Sequence, residues 1–225
     1  LAEVQGRLRL QAPRDRERRR RGHRAPPVCR ARPAGPRQDR GPRLDRRGRA
    51  ARGQPQLRPL RPVTYPVNET FLSWQGEGTH LGRKAFFIRL QGCPVRCSWC
   101  DSASTWHPSH VPNDLRKATA DELADEAAAA KPEFVVITGG EPCIHDLNPL
   151  ITALSVRKLP AHLETCGAYP IAPKLAWVTV SPKWAKPPIA EALATADELK
   201  VIVENPESIG RWLSALRRHL ALPHR

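Results

Sequence analysis

The sequence predicts an α/β fold on a largely parallel sheet, open or partly closed into a barrel. Three observations predict it. From Val63 onward, short apolar runs alternate with amphipathic stretches at the spacing of strand–helix units. Some runs are continuously apolar, as in Phe134-Val135-Val136-Ile137-Thr138, the pattern of a strand covered on both faces. The runs also end in motifs rich in Gly, Pro, Cys or Ser, where parallel sheets carry their active sites.

Residues 1–62 stand apart. They hold 20 Arg, no Lys and 5 acidic side chains, so they carry the whole formal charge of +15, leaving 17 basic and 17 acidic groups for residues 63–225. Nine Pro, the run Arg18-Arg19-Arg20-Arg21 and few large apolar residues predict a disordered segment. Such a composition buries too little apolar surface to offset the entropy of ordering. One reading is a basic arm for nucleic acid. The stronger one is mistranslated upstream sequence, because the chain starts at Leu1, has no Met and uses Arg without Lys in this region. There is no signal-peptide core and no run of 18 apolar residues, so a cytoplasmic protein without a membrane span is expected. The 163 residues from Val63 suit one core domain.

Within that core, Ala85–Leu90 is β-prone and ends just before Gly92. Thr119-Ala120-Asp121-Glu122 is a capping box, and it opens an Ala-rich helix lasting to about Lys131. Phe134–Thr138 is the next strand, followed by a helix over Asn148–Val156. Strands are predicted at His162–Thr165, Trp177–Val180 and Leu199–Val203. A last helix starts near Pro206, with Ile209, Trp212, Leu213 and Leu216 on one face.

Six cysteines are present, and Cys29 lies in the basic segment. Of the other five, Cys93, Cys97 and Cys100 fall within eight positions as C-x3-C-x2-C, a clustering that a disulfide framework seldom shows. Three thiolates so close can hold three irons of one cubane and leave the fourth iron open. Zinc competes, with His107 and His110 as further ligands, although no second ligand pair supports it. Buried structural cysteines are the plainest alternative. Cys143 and Cys166 read as small apolar fillers.

The surroundings of the cysteines resemble the radical S-adenosylmethionine (SAM) superfamily and, within it, the 7-carboxy-7-deazaguanine synthases. The likeness rests on Asn68 to Gly78 with its Gln-Gly-Glu-Gly turn, Gly82-Arg83, Phe87-Ile88-Arg89 and the cysteine loop with its Asp101-Ser102 extension. Thr138-Gly139-Gly140-Glu141-Pro142, Glu164-Thr165 and Ser181-Pro182-Lys183 complete it, over about Val63 to Ser208. The resemblance implies an incomplete TIM-like barrel. It implies a lyase in which Cys93, Cys97 and Cys100 hold a [4Fe–4S] cluster whose open iron binds SAM. Electron transfer then cleaves SAM to methionine and a 5′-deoxyadenosyl radical, which converts 6-carboxy-5,6,7,8-tetrahydropterin to 7-carboxy-7-deazaguanine with loss of ammonia, toward queuosine. By the same likeness Trp99, Asp101, Gly140, Ser181 and Lys183 contact SAM. Trp74, Gln75, Gly76, Arg89 and Thr138 bind the pterin, with Glu77 a weaker candidate, and Ser102 ligates Mg2+. An electron donor such as flavodoxin or ferredoxin and a homodimer are implied, with no nucleic-acid or membrane partner.

The likeness departs from its pattern at the C-terminus. Family members continue past the last helix into a strand and a closing tail, so Arg217–Arg225 suggests a truncated frame. Two rival functions remain open from the sequence: another small radical SAM enzyme such as a glycyl-radical activase, and a zinc module with a basic nucleic-acid arm.

Overall fold

The computed structural model describes residues 63–113, 115–203 and 205–220. The expected disordered segment 1–62, Cys29 and the residues after Leu220 lie outside the described residues. The elements run β1 (Thr64–Trp74), β2 (Lys84–Leu90), β3 (Arg116–Thr119), α1 (Ala120–Ala130), β4 (Phe134–Gly139) and α2 (Asn148–Val156). They continue with β5 (Ala161–Thr165), β6 (Trp177–Val180), α3 (Ala190–Thr195), β7 (Glu198–Leu199) and α4 (Pro206–Leu220).

The strands form one seven-stranded sheet in the order β3-β1-β2-β4-β5-β6-β7. β2, β4, β5, β6 and β7 are mutually parallel, whereas β1 runs antiparallel to both β2 and β3. The sheet is not closed, which is the predicted partial barrel.

Alternation along each strand divides the side chains between two faces. On one face Ile88, Ile137, Leu163 and Val178 pack against Leu123 of α1, Leu150 and Leu154 of α2 and Leu193 of α3. The other face has a smaller core of Ala85, Phe87, Phe134 and Val136 backed by Phe71, with no helical residue in it. This helix-free face is where the polar residues gather.

The capping box forms as predicted: Thr119 Oγ1 accepts from the Glu122 amide, and Glu122 accepts from the Thr119 amide. α1 stops at Ala130 because Lys131 turns left-handed, at φ 49°, ahead of Pro132. Asn205 caps α4, its Oδ1 accepting from the Ser208 amide at 3.0 Å.

Three expectations need correction. The strand predicted over Leu199–Val203 is only Glu198–Leu199. Among the described residues its one neighbour, β6, ends at Val180, so nothing remains for Val201 and Val203 to pair with. Two elements went unpredicted: β3, a charged edge strand reading Arg-Lys-Ala-Thr, and α3, too short to show a period. On α4, Trp212 is buried but Ile209 is exposed, so the apolar stripe is narrower than its sequence suggests; the side chain of Leu216 lies outside the description.

The helix-free face holds one buried histidine. His162 of β5 stacks on Phe134 at 4.1 Å and lies beside His80, 4.7 Å away. Burial, with help from His80 and Arg83, pushes its pKa down to about 4. It is therefore neutral in the fold, whereas the unfolded chain protonates near 6.5. The stabilisation is complete above that value and is lost as pH falls from about 6.5 toward about 4, to the extent of roughly 2–3 kcal/mol. His162→Phe keeps the stack without the titration. Urea midpoints between pH 7 and 4.5 should thus fall less steeply for the variant than for the parent, and equal slopes would refute this account.

Candidate active site

The cysteine loop leaves the sheet at the carboxyl end of β2. Cys93, Cys97 and Cys100 are unpaired thiols, each partly exposed. The Cys100 amide bonds the Cys97 carbonyl at 3.2 Å, so these two sit one turn apart. Arg96, just before this turn, takes a left-handed backbone, φ 54°. Burial pushes the Cys97 thiol up, and the Lys183 ammonium pulls it partly back.

The end of β4 is shaped to receive this loop. A Cβ on Gly140 would lie 2.3 Å from the Gly92 carbonyl oxygen and 2.7 Å from Cys93 Cβ. Gly139, at φ 141°, would place one 2.2 Å from the Leu90 oxygen. Only glycine fits at either position. The likeness assigns Gly140 to contact with SAM; the structure shows the base of the cysteine loop, Gly92 and Cys93, filling the space beside its Cα. Next to it Glu141, 1% exposed, accepts from Thr165 Oγ1 (2.6 Å), the Cys166 amide (2.8 Å) and the Cys143 amide (3.0 Å). Its carboxylate ties the ends of β4 and β5 together. Burial pushes the Cys143 thiol up to about 12 and raises Cys166 too, which favours the protonated thiol at both positions.

The other predicted residues fall into two groups. Around the loop, Lys183 Nζ bonds Ser181 Oγ at 2.6 Å and sits over the Trp99 ring at 5.4 Å. Burial lowers its pKa, and Cys97 partly offsets this. Ser102 Oγ donates to Asp101 (2.9 Å) and accepts from Arg89 Nη1 (3.2 Å). Arg89 also donates to Glu69 Oε1 at 2.7 Å and lies against the Phe71 ring.

The second group follows the strand register across the helix-free face, where Arg89 is the partner of Thr138. Thr138 Oγ1 donates to Glu164 Oε2 (3.1 Å), and Gln75 Nε2 donates to Glu164 Oε1 (3.2 Å). Lys200 Nζ pairs with Glu77 at 3.0 Å. Burial works against the charge on Lys200, but Glu164 and Glu77 outweigh it and hold its pKa above the ordinary lysine value. Glu198 accepts from the Thr79 amide at 2.9 Å, so the turn between β1 and β2 reaches across the face to β7. Trp74 is 66% exposed at the end of β1. Gly76 is open on its Cα side.

Sequence reasoning had Glu164 and Glu141 only as parts of motifs and passed over Lys200. Register was the available signal for Glu164: two parallel strands of similar length place Thr138 and Glu164 side by side. The neighbourhood of Lys200 depends on where β7 ends, which the apolar pattern misplaced.

A profile of the radical SAM superfamily matches residues 87–207, more than half of the chain. A 7-carboxy-7-deazaguanine synthase from Synechocystis sp. is 51% identical over 148 residues, spanning 66% of this chain and 69% of that protein. The chain belongs to the radical SAM superfamily, in the family of 7-carboxy-7-deazaguanine synthases. The synthase of Escherichia coli K12 is 39% identical over 179 residues, 71% of this chain and 79% of that one. The crystal structure of QueE from Escherichia coli superposes with a TM-score of 0.61 at 36% identity, covering 72% of this chain and 78% of that chain. The zinc-module and activase readings are not favoured by these likenesses. Members of this family use a [4Fe–4S] cluster, SAM and Mg2+.

The donor set suits a radical SAM cluster. A cubane asks for one thiolate per iron, and three free thiols in one loop can supply three. A structural zinc instead needs ligands converging on one point, and no three His, Cys, Asp or Glu among the described residues do so. His107 and His110 instead face each other, Nδ1 to Nδ1 at 3.1 Å. Among the described residues no helix is long and apolar enough to cross a membrane.

Proposed function

We propose that this radical SAM lyase converts 6-carboxy-5,6,7,8-tetrahydropterin to 7-carboxy-7-deazaguanine with loss of ammonia, in 7-deazapurine (queuosine) biosynthesis. The observation that carries the substrate reading is Arg89. Its guanidinium lies on the helix-free face, in register with Thr138 and bonded to Ser102, two residues past the last cluster cysteine. A planar fork at this spot suits a carboxylate taken up bidentately. Gln75 and Thr138 share Glu164, which leaves a compact set of donors and acceptors for the pterin ring. We add Trp74 and Gly76 from the adjoining turn.

Cys93, Cys97 and Cys100 would hold the cluster, and Trp99, Asp101, Gly140, Ser181 and Lys183 would line the SAM site. Bound together, cluster and SAM supply one-electron reductive cleavage and hence hydrogen abstraction from an unactivated carbon. The chain's own part is to hold the pterin carboxylate on Arg89, to place Lys183 beside the loop, and to exclude water. For Mg2+, the hydroxyl of Ser102 would exchange its Arg89 donor for the cation, with Asp101 adjacent. The enzyme acts on a small molecule and draws electrons from a reductant. We assign that role to a flavodoxin or ferredoxin, place the enzyme in the cytoplasm as a homodimer, and give nucleic acid no part. The domain reading, a core from Val63 with residues 1–62 dispensable, belongs to the same proposal.

The test is direct. Anaerobically purified protein given SAM, a strong reductant and Mg2+ should turn the pterin into a product with the mass of 7-carboxy-7-deazaguanine. Cleavage of SAM with the pterin left untouched would remove this substrate and keep the superfamily.

A further inference from the structure

β1 contains one residue that its partner strand has no use for. Val67 faces Leu90 and Glu69 faces Arg89, so Asn68 is the extra residue of a β-bulge. A bulge breaks the ladder and re-aims a side chain, and such features recur beside active sites. Here the re-aimed side chain is a carboxamide, and every polar position on it is used. Asn68 Nδ2 donates to Gln91 Oε1 at 3.0 Å and to the Ser104 carbonyl at 3.1 Å, while Oδ1 accepts from Ser104 Oγ at 3.3 Å. Gln91 lies two residues before Cys93, and Ser104 four residues after Cys100.

Neighbouring bonds lock both ends further. Gln91 Nε2 donates to the Ser104 carbonyl at 3.3 Å, the Gln91 amide bonds the Pro66 carbonyl at 2.9 Å, and the Gly92 amide bonds the Thr105 carbonyl at 2.8 Å. Thr105 is fully buried and donates to the Ser102 carbonyl at 2.7 Å. The loop that carries the three cysteines is thus pinned at its base, and among the described residues Asn68 is the one side chain outside the loop that is bonded to both ends.

We propose that Asn68 is a positioning residue for the cluster loop: the bulge clamps Gln91 to Ser104 and so fixes the separation of Cys93 and Cys100 before any iron is bound. The proposal rests on reading these cysteines as cluster ligands, and its test separates the two ideas. Asn68→Leu keeps the size and removes all three bonds, Ser104→Ala removes one, and Ile151→Val in α2 serves as a mildly destabilised control. Amide exchange across residues 92–105 is measured on iron-free protein, the rate of iron loss to a chelator on reconstituted protein, and the thermal midpoint on both. Asn68→Leu should speed exchange in 92–105 and iron loss by roughly tenfold each, with Ser104→Ala between it and the parent. Ile151→Val should move neither beyond its change in midpoint.

If Asn68→Leu speeds exchange in β4 as much as in the loop, or if its iron loss merely tracks the midpoint as in the control, the clamp is wrong. Should the parent take up no iron, the cluster reading fails, and the exchange data still decide whether Asn68 orders the loop. Should Asn68→Leu not fold, Ser104→Ala decides alone: a loop no more mobile than the parent's refutes the clamp.

Discussion

Cys97→Ala is expected to leave the protein with almost no iron after anaerobic reconstitution, where the parent binds about four irons and four sulfides per chain. Cys97 is the middle ligand of the three, one turn from Cys100 and electrostatically close to both Cys93 and Lys183. With its thiol gone, two ligands remain for a cluster that takes three, and the other free thiols are poor substitutes. Cys166 is buried, and Cys143 is held as a thiol with its pKa near 12. Iron and sulfide analysis with the visible spectrum checks this. One equivalent of tight zinc in the parent, with no iron uptake and no brown colour, would overturn the central assignment.

Arg89→Ala should cripple pterin conversion while sparing the slow uncoupled cleavage of SAM. The two substrates are held in different places. SAM is assigned to the loop residues and to Gly140, Ser181 and Lys183, whereas Arg89 belongs to the row that crosses to Thr138. Losing a charge-assisted bidentate contact costs roughly 2–4 kcal/mol, or about 30-fold to 1,000-fold in kcat/KM for the pterin. The fold should tolerate the change, because the ion pair it breaks joins Arg89 to Glu69, whose side chain is half exposed. Arg89→Lys keeps the charge without the fork and should recover only part of the loss. Equal damage to both activities would move Arg89 out of the substrate site.

Much of this architecture was legible in the residues themselves. Thr119 and Glu122 mark the start of α1 because capping is local chemistry, and Trp177–Val180 reads as a strand because Trp, Val and Thr all favour extended backbone. The cysteine loop was legible because ligand spacing is written along the chain. Edges were not. β3 is polar and owes its extended form to pairing with Thr64–Val67, and β7 stops where β6 stops, neither of which a single segment records. Nor was the grouping around Glu164 visible without the register that sets it beside Thr138, or the extra residue at Asn68 without the partner strand that leaves it unpaired.

The turn after β1 has a consequence for the order in which the chain assembles. Thr79 and Glu198 are 119 positions apart in sequence, and Gln75 and Glu164 are 89 apart. Contacts of such span carry a large loop-closure entropy and gain little until the intervening strands have paired. The adjacent hairpin of β1 and β2 forms with far less chain to organise. Docking of the turn on β5 and β7 is therefore expected late in folding, after the strands that carry the pterin candidates have paired.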